Sequence, residues 1–430
     1  MKRYVEYKDS GIEEIGEIPL GWTIGKLKYY SDAIGDGLHG TPNYDDDGEY
    51  YFVNGNNLGE LKILIKDNTN KLSYGEYQKY KLDLNNSILI SLNGTIGNTS
   101  FYEGENIVLS KSAGYINPKQ SIDRKYLYYY LKSKSVSLIF ELSFAGTTIK
   151  NLSLETLRNL TVTYPPFQIQ NEIATYLDCK TSALDTLITD KQKLIDLLKE
   201  KRQAVIIEAV TKGLDKTAPM KDSGIEWIDE IPEKWEVKKL KHFTKVKDGT
   251  HDTPDYLDES ESNIPLVTSK DIKNGSICFD KTKYISHMDY IKINSRSDVE
   301  KYNVIMPMIG TVGNPAIVIS DRAFSIKNVA LFKTDNIISA KYLKYFLDSD
   351  IVKLQFNLIN RGGVQQFVSL DILKNIYIIM NNNIDEIVEY LDSKTSAIDN
   401  LVTDITSQIE KLKEYRQCVI SEAVTGKVAI

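Results

Sequence analysis

The strongest constraint on the fold is that the chain carries nearly the same sequence twice. Residues 8 to 22 read KDSGIEEIGEIPLGW and return as residues 221 to 235, KDSGIEWIDEIPEKW. Residues 173 to 211 return as residues 387 to 425, where the ending VIIEAVT is matched by VISEAVT. The offsets, 221 − 8 = 213 and 387 − 173 = 214, make the repeat unit half of the 430-residue chain. This duplication predicts two similar globular units rather than one large domain.

The middle parts of the two copies correspond more loosely. Three further motif pairs lie in the same order in both copies: DGLHGTPNY at 36–44 with DGTHDTPDY at 248–256, NGTIGN at 93–98 with IGTVGN at 309–314, and YLYYYL at 126–131 with YLKYFL at 342–347. A shared order with diverging residues predicts one scaffold that carries two different contact surfaces.

Composition limits the possible partners. Hydrophobic residues make up 42% of the chain, but no apolar run approaches membrane-spanning length. The opening MKRYVEYKDSGIEE turns acidic before a signal-peptide core can form, so we expect a soluble, cytoplasmic protein. The formal net charge of −6 argues against a general nucleic-acid coat, because nonspecific binding to phosphates needs a positive face. Any DNA contact must therefore come from local patches or from a charged partner.

Each copy ends in a long segment with a seven-residue apolar rhythm. Pro165 and Pro166 suit the start of the first helix, and Gly213 suits its end. The predicted seam residues are Leu184, Leu187, Leu194, Leu198 and Val205 in one segment and Ile398, Leu401, Ile405, Leu412 and Val419 in the other. A helix of roughly 40 residues is about 60 Å long, which exceeds the ~34 Å between half-sites one DNA turn apart. We expect the two helices to pair as an antiparallel coiled coil. The alternative is that each stripe packs only on its own domain.

With these features the chain resembles the specificity subunits of type I restriction-modification systems. The resemblance covers essentially the whole chain. It rests on the doubled KDSGIE opening, the DGxHxTPxY pair, the helix entry Pro165-Pro166-Phe167…Gln170…Ile173…Tyr176-Leu177-Asp178, and the two heptad segments. One departure lies at residues 379 to 385, IMNNNID, which lack the Pro-Pro and acidic-Gln pairs of the family's helix entry. The family pattern therefore does not mark where the second long helix starts.

The resemblance implies an α+β fold with two pseudo-repeated α/β target-recognition domains, residues 1–165 and 214–380, joined by long antiparallel coiled-coil helices at 166–213 and 381–430. It implies a non-catalytic subunit in which each domain reads one half of a bipartite double-stranded DNA target and the helices set the spacer. Two modification subunits would bind this chain and transfer a methyl group from S-adenosylmethionine to adenine N6. Restriction subunits, where present, would add chemistry that uses ATP and Mg²⁺. No cofactor is expected on the chain itself.

Two motifs could indicate catalysis instead. Tyr164-Pro165-Pro166-Phe167 is similar to the motif of amino-methyltransferases, but Tyr164 lacks the carbonyl that would accept from the target amino group. No glycine-rich turn of the kind that cradles S-adenosylmethionine precedes it, so a helix entry is favoured. Asp255 followed by Asp271 and Lys273 could be a metal-dependent nuclease pattern. Its counterparts in the first copy, Asn43 and residues 57–59, cannot do this chemistry, so a loop scaffold is favoured.

The histidines, cysteines and glycines indicate no metal or nucleotide site. His39 and His251 occupy matching positions, but no further ligands repeat with them, so a turn-stabilising or phosphate-facing role is favoured. The three cysteines lack metal-ligand spacing. Gly94 and Gly97, like their counterparts at 310 and 313, are expected in hairpin turns with special backbone geometry.

Base-reading residues are expected in the polar loops of the two domains. Arg, Lys, Asn, Gln and small hydroxyl side chains supply most contacts to base edges and phosphates. The candidates are Asn54, Asn56, Asn57, Asn93, Thr95, Lys111, Thr147 and Lys150 in the first copy and Thr268, Lys270, Thr311, Lys327, Arg361, Gln365 and Gln366 in the second. An ordinary solvated loop is the alternative for each.

Two other classes of function stay open at this point. The chain could be a structural adaptor whose duplicated domains bind proteins rather than DNA, and the acidic net charge is compatible with that. An autonomous enzyme ranks third, because neither copy carries a catalytic constellation.

Overall fold

The computed structural model describes residues 3–144, 150–260, 263–310, 312–359 and 367–430. The chain divides into two compact units. The first unit extends to Gln192 and also takes in Ser407–Ile430, whereas the second unit comprises Lys193–Thr406. Both units combine helices and strands, so the predicted α+β class is confirmed. None of the helices in these described ranges combines the length and the apolar character needed to cross a bilayer.

The first unit contains eleven strands in its described part. They are β1 (Tyr7–Asp9), β2 (Glu17–Pro19), β3 (Thr23–Lys26), β4 (Ser31–Asp36), β5 (Tyr50–Val53), β6 (Lys71–Leu72), β7 (Ile88–Ser91), β8 (Thr99–Phe101), β9 (Ile107–Leu109), β10 (Ala113–Pro118) and β11 (Thr161–Tyr164). An antiparallel sheet has the order β4-β10-β7-β8, and a second sheet has the order β6-β5-β9. In the second sheet β5 and β9 are parallel. β1 pairs with β2, and β3 pairs with β11.

Helices of the first copy follow clear start signals. They are α1 (Tyr74–Tyr80), α2 (Arg124–Leu131), α3 (Lys134–Ser143), α4 (Leu154–Arg158) and α5 (Phe167–Lys212). Asp123 caps α2 by accepting from the Tyr126 amide at 2.7 Å, and serines cap α1, α3 and α4. α5 begins directly after Pro165 and Pro166, and Gly213 follows its end with a φ of +76°. The helix-entry interpretation of the proline pair is therefore confirmed.

The second unit repeats this plan. Its strands are β12 (Met220–Asp222), β13 (Glu230–Pro232), β14 (Glu236–Lys239), β15 (Lys245–Asp248), β16 (Ile264–Val267), β17 (Ile272–Lys273), β18 (Ser276–Ile277), β19 (Lys283–Ile285), β20 (Val304–Pro307), β21 (Ala316–Ile317), β22 (Ser325–Ile326), β23 (Val329–Lys333) and β24 (Tyr377–Met380). The sheets β15-β23-β20-β21 and β19-β16-β22 correspond to the two sheets of the first unit, and β16 and β22 are again parallel. The short hairpin of β17 and β18 corresponds to a single antiparallel bridge between Leu58 and Ile63 in the first unit.

The helices of the second copy are α6 (His287–Ser297), α7 (Ile337–Asp348), α8 (Asp350–Ile359), α9 (Leu370–Asn375) and α10 (Ile384–Val424). Where the Pro-Pro pair is missing, Asn381 forms the turn before α10. Its Oδ1 accepts from the Asn383 amide at 3.0 Å, and its Nδ2 donates to the Tyr342 hydroxyl at 2.9 Å. Asp385 and Glu386 then occupy the first turn, where acidic side chains stabilise a helix.

The two long helices run antiparallel within each unit. In the first unit Lys191 of α5 donates to Gln408 of α10 at 2.7 Å, while Asp185, further back along α5, contacts Arg416, further on along α10. In the second unit Arg202 of α5 donates to Asp399 of α10 at 2.9 Å. Ile206 and Val210, further on along α5, share a core cluster with Ile387 and Leu391, further back along α10. The expected antiparallel pairing is thus observed in both units.

The buried seam differs from the predicted one by one residue at three places. Leu187, Leu194 and Leu401 are 43%, 44% and 51% exposed, respectively. The residues that follow them take the inward positions: Ile195 is 4% exposed, and Ile188 and Val402 are partly buried. Consecutive apolar residues made the phase of the heptad ambiguous, and neighbouring residues point about 100° apart on a helix. The predicted seam residues Ile398, Ile405 and Val419 are buried, and Leu184, Leu198, Val205 and Leu412 are partly buried.

Each unit has a core that the end of a long helix completes. In the first unit Ile420, Ala423 and Val424 of α10 join the cluster that also contains Trp22 and the tyrosines of α2. The Tyr126 hydroxyl donates to the carbonyls of Thr163 and Val424 at 2.8 and 3.1 Å. In the second unit the end of α5 (Ile206, Ala209 and Val210) joins the cluster of α7. The last residues of the chain are therefore part of the first unit's core.

Candidate nucleic-acid interface

Polar loops of the first unit meet at one edge of its sheets. The amide of Gly55 donates to the Ser112 hydroxyl at 2.9 Å, and the Thr95 hydroxyl lies 3.5 Å from the Gly55 carbonyl. A β-bridge joins Asn93 to Asn151. These contacts bring together the loops that begin at Asn54, Asn93, Ser110 and Lys150. We call their joint surface the first edge.

The side chains of the first edge differ in how exposed they are. Asn56, Thr95, Lys111 and Lys150 are exposed, and Asn54 and Asn93 are partly buried. Asn54 caps the following turn by accepting from the Asn56 amide at 3.0 Å. Asn57 is only 6% exposed, and its Nδ2 donates to the Leu64 carbonyl and the Thr69 hydroxyl at 3.1 and 3.2 Å. Asn57 therefore shapes the loop, and its amide is not free to meet a base.

The DGxHxTPxY loops occupy the same place in both units. Each passes close to a strand end, because an added Cβ on Gly37 would lie 2.0 Å from the Leu109 carbonyl and one on Gly249 would lie 1.9 Å from the Ile326 carbonyl. Only glycine fits at either position. A bridge then pairs Leu38 with Ser110 and, in the second unit, Thr250 with Lys327. This register makes Lys327 the counterpart of Ser110.

The second unit has an open cleft of about 670 Å³ at the corresponding edge. We call it the lysine cleft because five lysines line it: Lys270, Lys273, Lys281, Lys283 and Lys327. Among the described residues that line it, Asp271 and Asp280 are acidic, and Tyr256, Thr268 and Asn328 are neutral and polar. Lysines thus outnumber carboxylates in a chain whose net charge is −6. A local cationic surface of this kind attracts phosphates.

Three of the predicted residues, Thr268, Lys270 and Lys327, line this cleft. Thr268 donates through its hydroxyl to the Asp271 carboxylate at 2.7 Å, and its amide donates to the same carboxylate at 2.8 Å. Lys327 donates to the Thr253 hydroxyl. The predicted base-reading residues did not include Lys273, Lys281 or Lys283, and Lys273 entered only through the nuclease-like pattern. These three lysines belong to three separate elements or turns. The Lys-Thr-Lys run at 281–283 was the only local signal for two of them.

The nuclease-like pattern is a loop scaffold in the structure. Asp271 is 9% exposed, and both of its bonds to Thr268 close the turn before β17. Among the described residues no three His, Cys, Asp or Glu side chains lie close enough together to hold a metal ion. The Gly94 and Gly97 positions have φ values of +72° and +83° and connect the hairpin strands β7 and β8, as expected.

Both motif histidines contact an aspartate three residues earlier. His39 Nε2 lies 2.8 Å from Asp36 Oδ2, and His251 Nε2 lies 2.9 Å from Asp248 Oδ2. This confirms a turn-stabilising role for both. The second unit extends the contact, because His251 Nδ1 lies 2.9 Å from Asn328 Oδ1 and Arg296 donates to Asp248 at 2.5 Å.

Five predicted contact residues lie outside the described part of the chain. They are Thr147, Thr311, Arg361, Gln365 and Gln366. The remaining ten fall on the first edge or in the lysine cleft. Among the described residues, the structure thus brings these ten predicted positions to one surface of each copy.

Comparisons with known proteins identify this architecture. The family model described as the type I restriction modification DNA specificity domain matches residues 12–197 and again residues 232–411. The chain is 22% identical over 437 residues to the type I restriction enzyme MjaIX specificity subunit of Methanocaldococcus jannaschii, covering 99% of this chain and 97% of that protein. It is 22% identical over 386 residues to the EcoBI specificity subunit of Escherichia coli, covering 86% and 80%.

Solved structures share the fold. One chain, from a study of complex assembly and conformational transition of the type I R-M system, has a TM-score of 0.73 at 14% identity and covers 96% of this chain and 99% of its own length. The HsdS subunit of Thermoanaerobacter tengcongensis has a TM-score of 0.51 at 12% identity, covering 96% and 98%. Since the specificity domain matches twice and spans most of the sequence, the chain belongs to the type I restriction-modification specificity subunits, with two recognition domains.

Proposed function

We propose that domain 1–165 and domain 214–380 each read one half of a bipartite double-stranded DNA target. One observation carries the proposal: equivalent loops converge at the same sheet edge in both units, but the side chains they present differ. The shared scaffold explains why both surfaces take the same kind of ligand. The different side chains explain how the two half-sites differ in sequence.

The chemistry of the two surfaces supports a division of labour. In the lysine cleft, flexible ammonium groups are suited to phosphates, and the Asn328 carboxamide supplies an uncharged donor and acceptor for base edges. The Thr268 hydroxyl donates to Asp271 and therefore adds only an acceptor. On the first edge, Asn54, Asn56, Asn93 and Thr95 supply such groups, while Lys111 and Lys150 are the cations. The second domain thus carries more of the phosphate attraction, and the first domain presents more neutral amides.

The long helices, residues 166–213 and 381–430, are proposed to set the unread spacer and to dock two modification subunits. Exposed identity between the copies supports the docking role. Ser182 and Ala183 on α5 match Ser396 and Ala397 on α10, and all four are exposed. Packing does not require identical residues at exposed positions, whereas two copies of one partner would.

We assign catalysis to those partners rather than to this chain. The modification subunits would hold S-adenosylmethionine and methylate adenine N6, and restriction subunits would use ATP. Tyr164, the first residue of the methyltransferase-like motif, is 3% exposed and cannot meet a flipped base. The adaptor alternative is not favoured, because the family that matches both halves is a DNA specificity family.

A domain exchange tests the proposal. Residues 214–380 are replaced by those of a relative, the chain is expressed with its modification subunit, and methylated adenines are mapped across the genome. We expect one half of the recognised sequence to change and the other half and the spacer to persist. The reciprocal exchange of residues 1–165 is the control and should change the other half. An unchanged methylation pattern, or a change in both halves, would refute the assignment.

A further inference from the structure

Asn328 stands out among the residues of the lysine cleft. It lines the cleft beside Lys327, and its backbone has a φ of +53°, a conformation that asparagine tolerates better than most residues. Its side chain contacts His251, since His251 Nδ1 lies 2.9 Å from Asn328 Oδ1. The other ring nitrogen of His251 lies 2.9 Å from Asp248 Oδ2. A chain of side chains therefore leads from the buried aspartate to the cleft wall.

Asp248, the first of these three side chains, is held in a fixed position. The Asp248 side chain is 4% exposed, and its second oxygen accepts from Arg296 at 2.5 Å. Asp248 also belongs to β15, which pairs with β23 in the central sheet. His251 is thus anchored to a rigid strand, and a carboxamide attached to it is pre-organised rather than free to rotate. Pre-organised groups lose less entropy when they bind.

The first unit has the histidine–aspartate contact but no asparagine at the position of Asn328. His39 contacts Asp36 at 2.8 Å in the same way. The residue whose amide donates to the DGxHxTPxY loop there is Lys111, at 2.9 Å from the Leu38 carbonyl, whereas in the second unit it is Asn328, at 3.1 Å from the Thr250 carbonyl. The carboxamide at this position is therefore specific to the second unit, as expected for a residue that distinguishes the two half-sites.

We propose that Asn328 is a specificity-determining residue that reads an adenine edge in the second half-site, and that His251 and Asp248 position it. The inference rests on the proposed function. Whichever amide atom faces His251, at least one N–H donor and one oxygen lone pair of the carboxamide remain free. Adenine offers the complementary pair in the major groove, the N7 acceptor and the N6 donor. The neighbouring lysines would hold the phosphates that set the register.

The test uses the full chain assembled with its modification subunits and a pool of duplex DNA in which both half-sites are randomised. Asn328→Gly removes the amide while keeping a residue that accepts the left-handed backbone. We expect it to lose roughly five- to 150-fold discrimination for adenine at one position of the second half-site. Preference at the other positions should persist. Asn328→Asp keeps the shape but loses the donor, and should lose the same preference.

His251→Ala tests the positioning role, and His287→Ala is its control, because His287 is exposed in the same domain and does not line the cleft. We expect His251→Ala to reduce the adenine preference at the same position as Asn328→Gly does. Combining the two substitutions should reduce it little further. A merely structural role would instead lower affinity for all sequences together. Unchanged adenine preference in Asn328→Gly overturns the inference. Absence of any second half-site preference in the unmodified chain would instead remove the proposed function itself.

Discussion

Arg416 of α10 donates to Asp185 of α5 at 3.2 Å, and the duplicated sequence repeats this pair as Arg202 and Asp399. In both cases the offset between equivalents is 214 residues, since 416 − 202 and 399 − 185 agree. Each arginine also reaches its neighbouring recognition domain. Arg416 donates to Glu60 at 2.7 Å, and Arg202 donates to Asp348 at 3.4 Å. In each unit, the arginine of the duplicated ion pair thus links the two long helices to the recognition domain of that unit.

Replacing Arg416 is expected to destabilise the first unit. Arg416→Met removes a side chain that is 17% exposed and leaves Glu60 and Asp185 without their cation. The expected loss is about 1–3 kcal/mol of unfolding free energy. Urea unfolding would measure it, and a double-mutant cycle with Asp185→Asn would isolate the pair. Lys413→Met is the control, because Lys413 is exposed and its ion pair among the described residues is with Glu410 of its own helix. Equal effects of the two substitutions would contradict a stabilising role for the pair.

The last helix turns should stabilise a domain that begins some 400 residues earlier. Ile420 is 1% exposed and packs in the cluster of Trp22 and Tyr126. Ile420→Ala should cost about 2–5 kcal/mol, and hydrogen exchange should accelerate in β10 rather than in β23. Cys418→Ala is the neighbouring exposed control. Acceleration confined to the second unit would show that the helix end does not complete the first core.

The lysine cleft predicts a defined salt dependence of DNA binding. Combining Lys270→Gln, Lys273→Gln and Lys283→Gln should flatten the plot of log affinity against log salt by about 0.9 for each phosphate that the variant no longer neutralises. Sequence preference should change little, because phosphate binding carries no base information. Lys353→Gln is the control, since Lys353 pairs with Asp350 away from the cleft. An unaltered slope in the triple variant would exclude the cleft as a phosphate site.

Buried tyrosines predict unfolding at alkaline pH. Burial raises the pKa of Tyr345 to about 12, and it also raises the pKa of its counterpart Tyr129. An unfolded tyrosine has a pKa near 10, so between about pH 10 and about pH 12 only the unfolded chain releases the proton. The unfolding free energy therefore falls as pH rises through this window, by at most about 1.4 kcal/mol per pH unit for each tyrosine.

Tyr345→Phe checks this expectation. The variant loses the bonds to Asp392 and Thr395, at 2.8 and 3.0 Å, and should be less stable near neutral pH by about 1 kcal/mol. Its stability should then decline less steeply above pH ~10 than that of the unmodified chain. The measurement is urea unfolding at several pH values. Parallel declines for the two chains would show that Tyr345 does not contribute.

Much of the fold was predictable because it depends on local chemistry and on repetition. The proline start and glycine end of α5 and the heptad rhythm follow from residues near one another in the chain, whereas the repeat offset and the antiparallel pairing follow from the duplication. The sequence did not predict which of two consecutive apolar residues in a heptad faces inward. Leu187 and Ile188 are equally apolar, so only packing against the partner helix decided that Leu187 faces outward.

The candidate site was predictable in kind but not in detail. The polar loops named from the sequence do converge, because duplicated strands carry them to one sheet edge. Asn57 is of a residue type that commonly contacts base edges, but its burial shows that it supports the loop instead. That Lys273 and Lys283 line one cationic cleft became visible only once β17 and β19 were placed around it.

The sequence by itself determined that there are two units, which motifs each contains and where the first long helix begins and ends, since these depend on short-range signals and on internal comparison. Only the tertiary structure decided which residues meet. It placed the end of α10 in the core of the first unit, and it brought Asn328 against His251 across 77 residues of chain. The physical reason is that contacts between distant segments depend on sheet pairing and on close packing, and neither is encoded in the spacing of neighbouring residues.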